Sequence, residues 1–217
     1  MADKPIVEHI LEKIKSVPEI KEILIVTNAR FHHQFQVWLN HYTYPKKIKL
    51  INDGTISNQD RLGAVGDLNF VLHEEEINED LLVIAGDNLF GFSLKSFLDS
   101  FTKKQKSHVA LFDIKDKEKL KKRYGTALLD KTKIINFEEK PAEPKSTLAA
   151  TACYLFSKSD LKLVEQALKV GKADNPGDLV KHLVKSSEVH GFVFDQHWFD
   201  VGSFESLEKA EEVYQKL

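Results

Sequence analysis

The stretch Leu81-Leu82-Val83-Ile84-Ala85-Gly86-Asp87-Asn88-Leu89-Phe90 (LLVIAGDNLF) decides the fold of this chain. Its first five residues are uninterrupted apolar side chains, a pattern typical of a strand buried on both faces of a sheet. The run ends at Gly86, Asp87 and Asn88. Open α/β sheets bind ligands beyond the carboxyl ends of their strands, and a glycine there lets a phosphate or another backbone approach closely. Asp87 is therefore a candidate ligand-binding carboxylate. The alternative is a polar turn, since Gly, Asp and Asn are common turn residues.

The composition is that of an ordinary globular domain. The chain has 217 residues, of which 42% are hydrophobic and 29% charged, with a formal net charge of -2. This length predicts a single domain over residues 1–217. The absence of a basic excess argues against a nucleic-acid partner. The sequence has no apolar run of membrane-spanning length and no signal-peptide core, so we expect no membrane association. The single cysteine, Cys153, predicts a buried thiol and favours a cytoplasmic location.

Strands alternate with helices through the first half of the chain. Glu22–Thr27, residues 48–51 and Leu81–Ala85 read as strands, and helical patterns lie before and between them. This alternation predicts a largely parallel sheet flanked by helices. From Gly125 to Phe156 the pattern changes to short strands separated by polar turns, including a hairpin turn at residues 130–133, which predicts an antiparallel section attached to the parallel core.

The chain opens on a helical pattern with no strand before it. Residues 6–14 place apolar side chains on one helical face. A doubly wound α/β domain normally begins with a strand whose loop faces the ligand. Either this domain starts differently or its first strand is absent from the sequence.

Two aspartates are candidate ligands of one Mg²⁺ ion. Asp87 and Asp200 each end a short apolar stretch close to a glycine. Mg²⁺ prefers oxygen ligands and usually takes one or two protein carboxylates, with substrate phosphates and water completing its shell. The alternative for Asp200 is a simple turn into the last helix, which Ser203 would cap.

Two further clusters have the chemistry of a sugar-phosphate site. Glu138 and Glu139 precede Lys140-Pro141, and a strand-end carboxylate beside a lysine can bind sugar hydroxyls and neutralise a phosphate. Pro141 is expected to hold Lys140 in an extended conformation. The alternative is a solvated charged turn. The second cluster is Arg123-Tyr124-Gly125, where the glycine either exposes backbone to a ligand or begins a hairpin.

These motifs together resemble the sugar-1-phosphate nucleotidyltransferases, of the glucose-1-phosphate thymidylyltransferase type. The resemblance covers essentially the whole chain and rests on motifs in the family's order. They are Lys4-Pro5-Ile6-Val7-Glu8-His9-Ile10-Leu11, Leu62-Gly63-Ala64, Gly86-Asp87-Asn88, Tyr124-Gly125, Glu138-Glu139-Lys140-Pro141, Thr151-Ala152-Cys153-Tyr154 and Trp198-Phe199-Asp200-Val201-Gly202. Ala152 stands where the family often has glycine.

The resemblance implies a Rossmann-like mixed sheet, mainly parallel and flanked by helices, with a small antiparallel sugar-binding section. It implies transfer of a nucleotidyl group from a nucleoside triphosphate to a sugar-1-phosphate, with release of pyrophosphate. The site residues that it implies are the Mg²⁺ ligands Asp87 and Asp200, the phosphate-contacting Lys140, and a substrate-binding set. That set comprises Gly86, Tyr124, Gly125, Glu138, Glu139, Lys140 and Thr151.

One part of the family pattern does not appear in the sequence. The family's first strand and a glycine-rich loop that grips the triphosphate should come immediately before Lys4, but the sequence begins Met1-Ala2-Asp3. Backbone N–H groups and cations in such a loop stabilise the leaving pyrophosphate. We therefore expect a fold without its first strand and reduced activity of this chain.

Three hypotheses remain open. The first is a nucleotidyltransferase whose loop lies outside this sequence. The second is a non-catalytic module that binds sugar phosphate or nucleotide, with a partner or a second copy covering the sheet where the strand is missing. The third is a flavodoxin-like or receiver-like signalling domain that uses Asp87. The antiparallel section argues against the third.

Overall fold

The computed structural model describes residues 1, 3–170 and 175–216, and its helices and strands alternate along the chain. The helices are α1 Ile6–Lys15, α2 Ala29–His41, α3 Ala64–Glu74, α4 Leu94–Lys104, α5 Lys162–Lys169, α6 Pro176–Ser186 and α7 Phe204–Tyr214. The strands are β1 Glu22–Thr27, β2 Lys47–Asn52, β3 Leu81–Ile84, β4 Asn88–Phe90, β5 Ser107–Asp113, β6 Thr126–Asp130, β7 Lys133–Glu138, β8 Leu148–Phe156, β9 Val189–Phe194 and β10 Trp198–Asp200. None of these helices is long and apolar enough to span a bilayer.

The main sheet has six strands in the order β3-β8-β5-β9-β7-β6. Helices flank it, and the predicted α/β class with a mixed sheet is confirmed. Strands β3, β5, β6 and β9 run in one direction, as their pairings require. Most hydrogen-bonded neighbours are nevertheless antiparallel, because the oppositely directed strands β8 and β7 lie between β3 and β5 and between β9 and β6. The predicted hairpin is also present, since Asp130 pairs with Lys133 and Lys131 takes a positive φ of 54°.

Two hydrophobic cores lie on opposite faces of the main sheet. Alternate residues of β5 enter different cores: Val109 and Leu111 pack with α3, α5 and α6, whereas Ala110 packs with α1, α4 and α7. Successive side chains of a strand point to opposite faces. The sheet is therefore the middle layer of a three-layer domain, with Cys153 fully buried as predicted.

The structure corrects the predicted burial of two apolar strands. Strands β1 and β2 form a separate parallel sheet, and neither is hydrogen-bonded to the main sheet in the described part of the chain. Strand β3 has one partner, β8. As a result, the apolar side chains of β3, and all of β1 after Glu22, are only partly buried instead of buried on both faces.

Helix α2 is also poorly buried. It begins after Asn28, whose side chain accepts a hydrogen bond from the Phe31 amide at 3.1 Å. Such a cap satisfies one of the unpaired N–H groups at a helix start. None of the described residues of α2 is fully buried, and Phe31 is 42% exposed. Helix α2 thus lies against a two-stranded sheet that is too small to bury it.

Candidate active site

The two candidate metal ligands lie at one end of a short antiparallel sheet. Strand β4 pairs with β10, and Asp200 lies opposite Asn88, the residue after Asp87. The Val201 amide donates to the Asp87 carbonyl at 2.8 Å, which ties the two chain segments together beyond the strands. Two aspartates separated by more than 100 residues are therefore brought to adjacent backbone positions. A turn was the alternative for both segments. Gly86 and Asp87 do lie in a turn, and the residues that follow it, Asn88–Phe90, pair as a strand with Trp198–Asp200.

The electrostatics of this acid pair favour a bound cation. Burial raises the pKa of the Asp200 carboxyl, and the negative charge of Asp87 raises it further, while Arg123 and Lys140 act in the opposite direction. Two carboxylates that repel each other bind a divalent cation favourably, because the cation removes their repulsion. Both groups offer oxygen atoms, the ligands that Mg²⁺ prefers. The residues present therefore fit the predicted ion.

The described residues do not form a complete metal cage. No group of three or more His, Cys, Asp or Glu side chains among them is arranged to hold a metal ion. A two-carboxylate site relies on ligand oxygens from elsewhere, and Mg²⁺ commonly takes them from substrate phosphates and water.

Gly86 leaves open space beside the acid pair. It is exposed, and a Cβ atom built on it would meet no atom within 4 Å. No steric conflict within the protein therefore requires glycine at this position. The open space agrees with the expectation that a ligand approaches the backbone here.

Glu139 lies between two glycines from different elements. A Cβ atom on Gly125 would come within 2.8 Å of the Glu139 Oε2 atom, and one on Gly177 within 1.8 Å. Gly177 lies in the first turn of α6, so the Glu139 side chain passes over the start of that helix. Burial raises the pKa of the Glu139 carboxyl, against the opposing effect of Lys140. The two glycines thus make room for this predicted sugar-binding carboxylate.

Lys140 has a backbone conformation that the sequence analysis did not predict. Its φ is 45°, in the left-handed region, rather than the extended conformation expected before Pro141. A residue other than glycine pays conformational energy there, and such residues cluster at ligand sites. The Lys140 Nζ atom lies 3.9 Å from Glu139 Oε1 and its side chain is about half exposed. The ammonium group therefore remains accessible to a phosphate.

Glu138 is turned toward a different partner. The Lys145 Nζ atom donates to Glu138 Oε1 at 2.6 Å, and this hydrogen bond lowers the pKa of the Glu138 carboxyl. The predicted pair of glutamates is thus divided between two environments. Glu139 is half-buried next to Gly125, and Glu138 forms an ion pair at the surface.

Tyr124 connects the antiparallel section to the acid pair. Its ring meets the Trp198 ring edge-on with a centroid distance of 5.0 Å, and its hydroxyl accepts from Arg123 at 3.3 Å. Burial raises the pKa of Tyr124, and the charge of Asp200 adds to this effect. Tyr124, Arg123 and Asp200 therefore share one environment.

Thr151 is placed in the core instead of at a surface. It is fully buried and its hydroxyl donates to the Ala110 carbonyl at 3.0 Å. The next residue, Ala152, has a positive φ of 51° and accepts from the Ala85 amide at 3.0 Å. This local distortion of β8 lies beside the start of the Gly86-Asp87 turn. The segment therefore shapes the site through its backbone.

Several residues that lie at the candidate site were not identified as site residues from the sequence. Asn88, Arg123 and Trp198 were quoted within motifs without a role, and Gly177 was not singled out. The signals available were weak: a glycine immediately after a helix-starting proline, and an arginine before a tyrosine. Only the packing of distant segments brings Asn88, Arg123 and Trp198 to the acid pair and Gly177 to Glu139.

The fold and site define an α/β protein that combines paired strand-end carboxylates with nearby lysine and arginine side chains. The chain belongs to the nucleotidyl transferase family, whose sequence profile matches residues 1–216. The family predicted from the motifs is thereby confirmed.

Individual relatives agree with this assignment. The chain is 29% identical over 204 residues to the bifunctional protein GlmU of Methanocaldococcus jannaschii, a match that covers 93% of this chain and 45% of the relative. The chain thus spans a little under half the length of that relative.

Solved structures show the same fold. A Bacillus anthracis protein assigned as a glucose-1-phosphate thymidylyltransferase, in complex with sucrose, superimposes with a TM-score of 0.76 at 23% identity, covering 98% of this chain and 83% of that one. A UDP-glucose pyrophosphorylase complexed with UDP-glucose gives a TM-score of 0.78 at 20% identity, covering 99% and 88%.

Proposed function

We propose that this protein transfers a nucleotidyl group from a nucleoside triphosphate to a sugar-1-phosphate, giving a nucleotide sugar and pyrophosphate. The observation that carries the proposal is the acid pair: Asp87 and Asp200 occupy adjacent backbone positions, and the charge of Asp87 raises the pKa of Asp200. The family membership and the names of two structural relatives, which specify glucose-1-phosphate and UDP-glucose, support this substrate class.

The proposed reaction is an in-line displacement at phosphorus. An oxygen of the sugar phosphate attacks the α-phosphorus of the nucleotide, and the bond from that phosphorus to the pyrophosphate oxygen breaks. Such a reaction depends on positioning and on neutralised phosphate charge more than on a protein nucleophile. A bound Mg²⁺ ion supplies part of that neutralisation. Asp87 and Asp200 would hold the ion, and Lys140 and Arg123 would add positive charge on the sugar-phosphate side.

The sugar would be held by the antiparallel section. Glu139, which lies next to Gly125, offers carboxylate oxygens that would accept hydrogen bonds from the sugar hydroxyl groups. Tyr124 closes this side of the site through its contact with Trp198. The Gly86 turn, with its open space, would receive a phosphate.

A pyrophosphate-release assay with Mg²⁺, several nucleoside triphosphates and several sugar-1-phosphates tests the proposal. The Asp87→Asn variant should lose about 10²-fold or more in turnover, because one metal ligand loses its charge at unchanged size. Asp113→Asn is a matched control, since Asp113 also ends a strand but pairs with Lys115 at 2.6 Å. Turnover of Asp87→Asn equal to that of Asp113→Asn would refute the site.

A second candidate function is binding without catalysis. The two cations that act on the Asp200 carboxyl are Arg123 and Lys140. Both come from the section proposed to bind the sugar, which favours this candidate. Calorimetric binding of a sugar-1-phosphate or nucleotide with Mg²⁺, together with no pyrophosphate release, would establish this alternative and exclude turnover by this chain.

The sugar side of the site has its own test. Gly177→Ala places a methyl group where the Glu139 carboxylate now lies, 1.8 Å from Oε2, so Glu139 must move. We expect sugar-1-phosphate binding to weaken about tenfold, because a charge-assisted hydrogen bond is lost. In a Glu139→Ala background the same substitution should have little further effect. Equal losses in both backgrounds would show that Gly177 acts independently of Glu139.

A further inference from the structure

Asn88 is a buried amide that joins two parts of the candidate active site. It is 4% exposed and lies at the start of β4. Its Oδ1 atom accepts from the Trp198 indole Nε1 at 2.8 Å, and its Nδ2 atom donates to Asp87 Oδ1 at 2.8 Å. Both ends of the amide are thus used, one toward each paired strand segment.

The chemistry of the two neighbours determines the orientation of this amide. An indole N–H can only donate a hydrogen bond, so the atom that faces it must be the amide oxygen. The amide nitrogen then necessarily faces Asp87, whose ionised carboxylate can only accept. In this orientation the indole N–H, both ends of the amide and the carboxylate all have hydrogen-bond partners. A flipped amide would place its NH₂ group against the indole N–H and its oxygen against the carboxylate.

The register of the strands explains why Trp198 reaches Asn88. Trp198 lies opposite Phe90, two residues along β4, and such diagonal neighbours lie on the same face of an antiparallel pair. Asp200, two residues further along β10, lies on that face as well. The Trp198 ring is held in place by Tyr124 and by Phe112, with ring centroids 5.0 and 5.9 Å away.

We propose that Trp198 and Asn88 are positioning residues that orient the Asp87 carboxylate for a divalent cation. The inference rests on the proposed function, because it takes Asp87 as a metal ligand. The amide engages Oδ1 and fixes the rotation of the carboxylate, and the second oxygen lies outside this relay. Partners of this kind orient metal ligands, and their loss typically weakens metal affinity 10–100-fold.

The test measures the affinity for Mn²⁺ by the loss of the free-ion electron paramagnetic resonance signal. Trp198→Phe keeps the aromatic ring that packs on Tyr124 but removes the N–H donor. We expect about tenfold weaker Mn²⁺ binding. Trp38→Phe is the matched control, since its indole donates at 2.8 Å to Glu8 between two helices. Asn88→Ala, which removes the amide and leaves the Asp87 charge, should weaken binding as Trp198→Phe does.

A second readout uses the native protein. The chain has two tryptophans, so its indole region contains two N–H resonances, which the two Trp→Phe variants assign. Titration with Mg²⁺ should shift the Trp198 resonance and leave that of Trp38 unchanged. This measurement requires no variant to retain metal affinity.

The outcomes separate the two proposals. Wild-type protein that binds no Mn²⁺ would overturn the metal site of the proposed function, and the relay with it. Wild-type protein that binds Mn²⁺, with unchanged affinity in a folded Trp198→Phe variant and no shift of the Trp198 resonance, would overturn the relay alone. Equal weakening by Trp38→Phe would show that the effect comes from general destabilisation.

Discussion

At the scale of single residues, the folded structure favours the protonated form of the Asp67 carboxyl. Burial raises the pKa of Asp67 to about 6, helped by the negative charge of Asp53, and its Oδ1 atom is buried without a hydrogen-bond partner. The folded protein therefore binds a proton that the unfolded chain, with a pKa near 4, has released. Stability should fall as the pH rises from about 4 to about 6.

Replacing this carboxyl should stabilise the protein in a pH-dependent way. Asp67→Asn should raise the free energy of unfolding at pH 8 by about 1 kcal/mol, allowing for solvent screening of a half-buried group, and by less at pH 4.5. Thermal unfolding at both pH values measures this difference.

Asp60→Asn is the control with the opposite sign. The Ile56 amide and Ser57 donate to Asp60 and lower its pKa to about 2. Asp60 therefore contributes stability above pH 4 that is lost toward pH 2, and its replacement should destabilise at neutral pH. If both variants shift the melting temperature in the same direction, the opposite pKa shifts assigned to Asp67 and Asp60 are wrong.

Ala152 is a second residue whose conformation predicts a stability effect. Its φ of 51° crowds the Cβ atom, and glycine relieves this crowding. Ala152→Gly should therefore stabilise the protein by about 1 kcal/mol, the cost of a left-handed conformation less the extra entropy of glycine in the unfolded chain. Ala149→Gly in the same strand, which relieves no strain, should destabilise. Chemical denaturation measures both, and a loss of stability in Ala152→Gly would contradict the assigned conformation.

At the scale of elements, one lysine holds α1 and β2 together. The Lys46 Nζ atom donates to the Val17 carbonyl at 2.7 Å and to the Ile20 carbonyl at 2.8 Å, in the connection between α1 and β1. Lys46→Met keeps the apolar stem but leaves both carbonyls without this donor. We expect a loss of about 1.5–3 kcal/mol in the free energy of unfolding.

The neighbouring lysine provides the comparison. Lys47 forms a surface ion pair with Glu22 at 2.6 Å, and its side chain is 70% exposed. Lys47→Met should therefore cost much less, since exposed ion pairs contribute little. Urea denaturation measures the free energy of unfolding of the two variants. Equal losses in this free energy would mean that the carbonyl contacts of Lys46 are not stabilising.

At the scale of the whole molecule, the interrupted sheet predicts unequal stability. Strands β1 and β2 form an isolated pair with α2 beside it, whereas β5 and β8 are paired on both sides. A two-stranded sheet is marginal by itself. We expect amide hydrogens of β1 and β2 to exchange through local opening at lower denaturant concentration than those of β5 and β8. Native-state hydrogen exchange followed by mass spectrometry measures this, and coincident opening of all four strands would contradict it.

The sequence alone determined the family and the α/β class, and it identified Asp87 and Asp200 as candidate metal ligands. Alternating apolar segments predicted the helices and strands, since their periodicity is a local property of the chain. The motifs around Asp87, Glu139 and Asp200 carried the candidate chemistry, because each lies at the end of a short apolar segment.

Only the tertiary structure decided how these residues meet. Pairing of β4 with β10 places Asp200 opposite Asn88, and no local pattern specifies which distant strands will pair. Partial exposure of β3, burial of Thr151 and the left-handed φ of Lys140 also depend on neighbours distant in sequence. No local sequence pattern predicts the hydrogen bonds from Trp198 to Asn88 and from Asn88 to Asp87 either. Sequence names the groups, whereas packing sets the distances and burial that determine their chemistry.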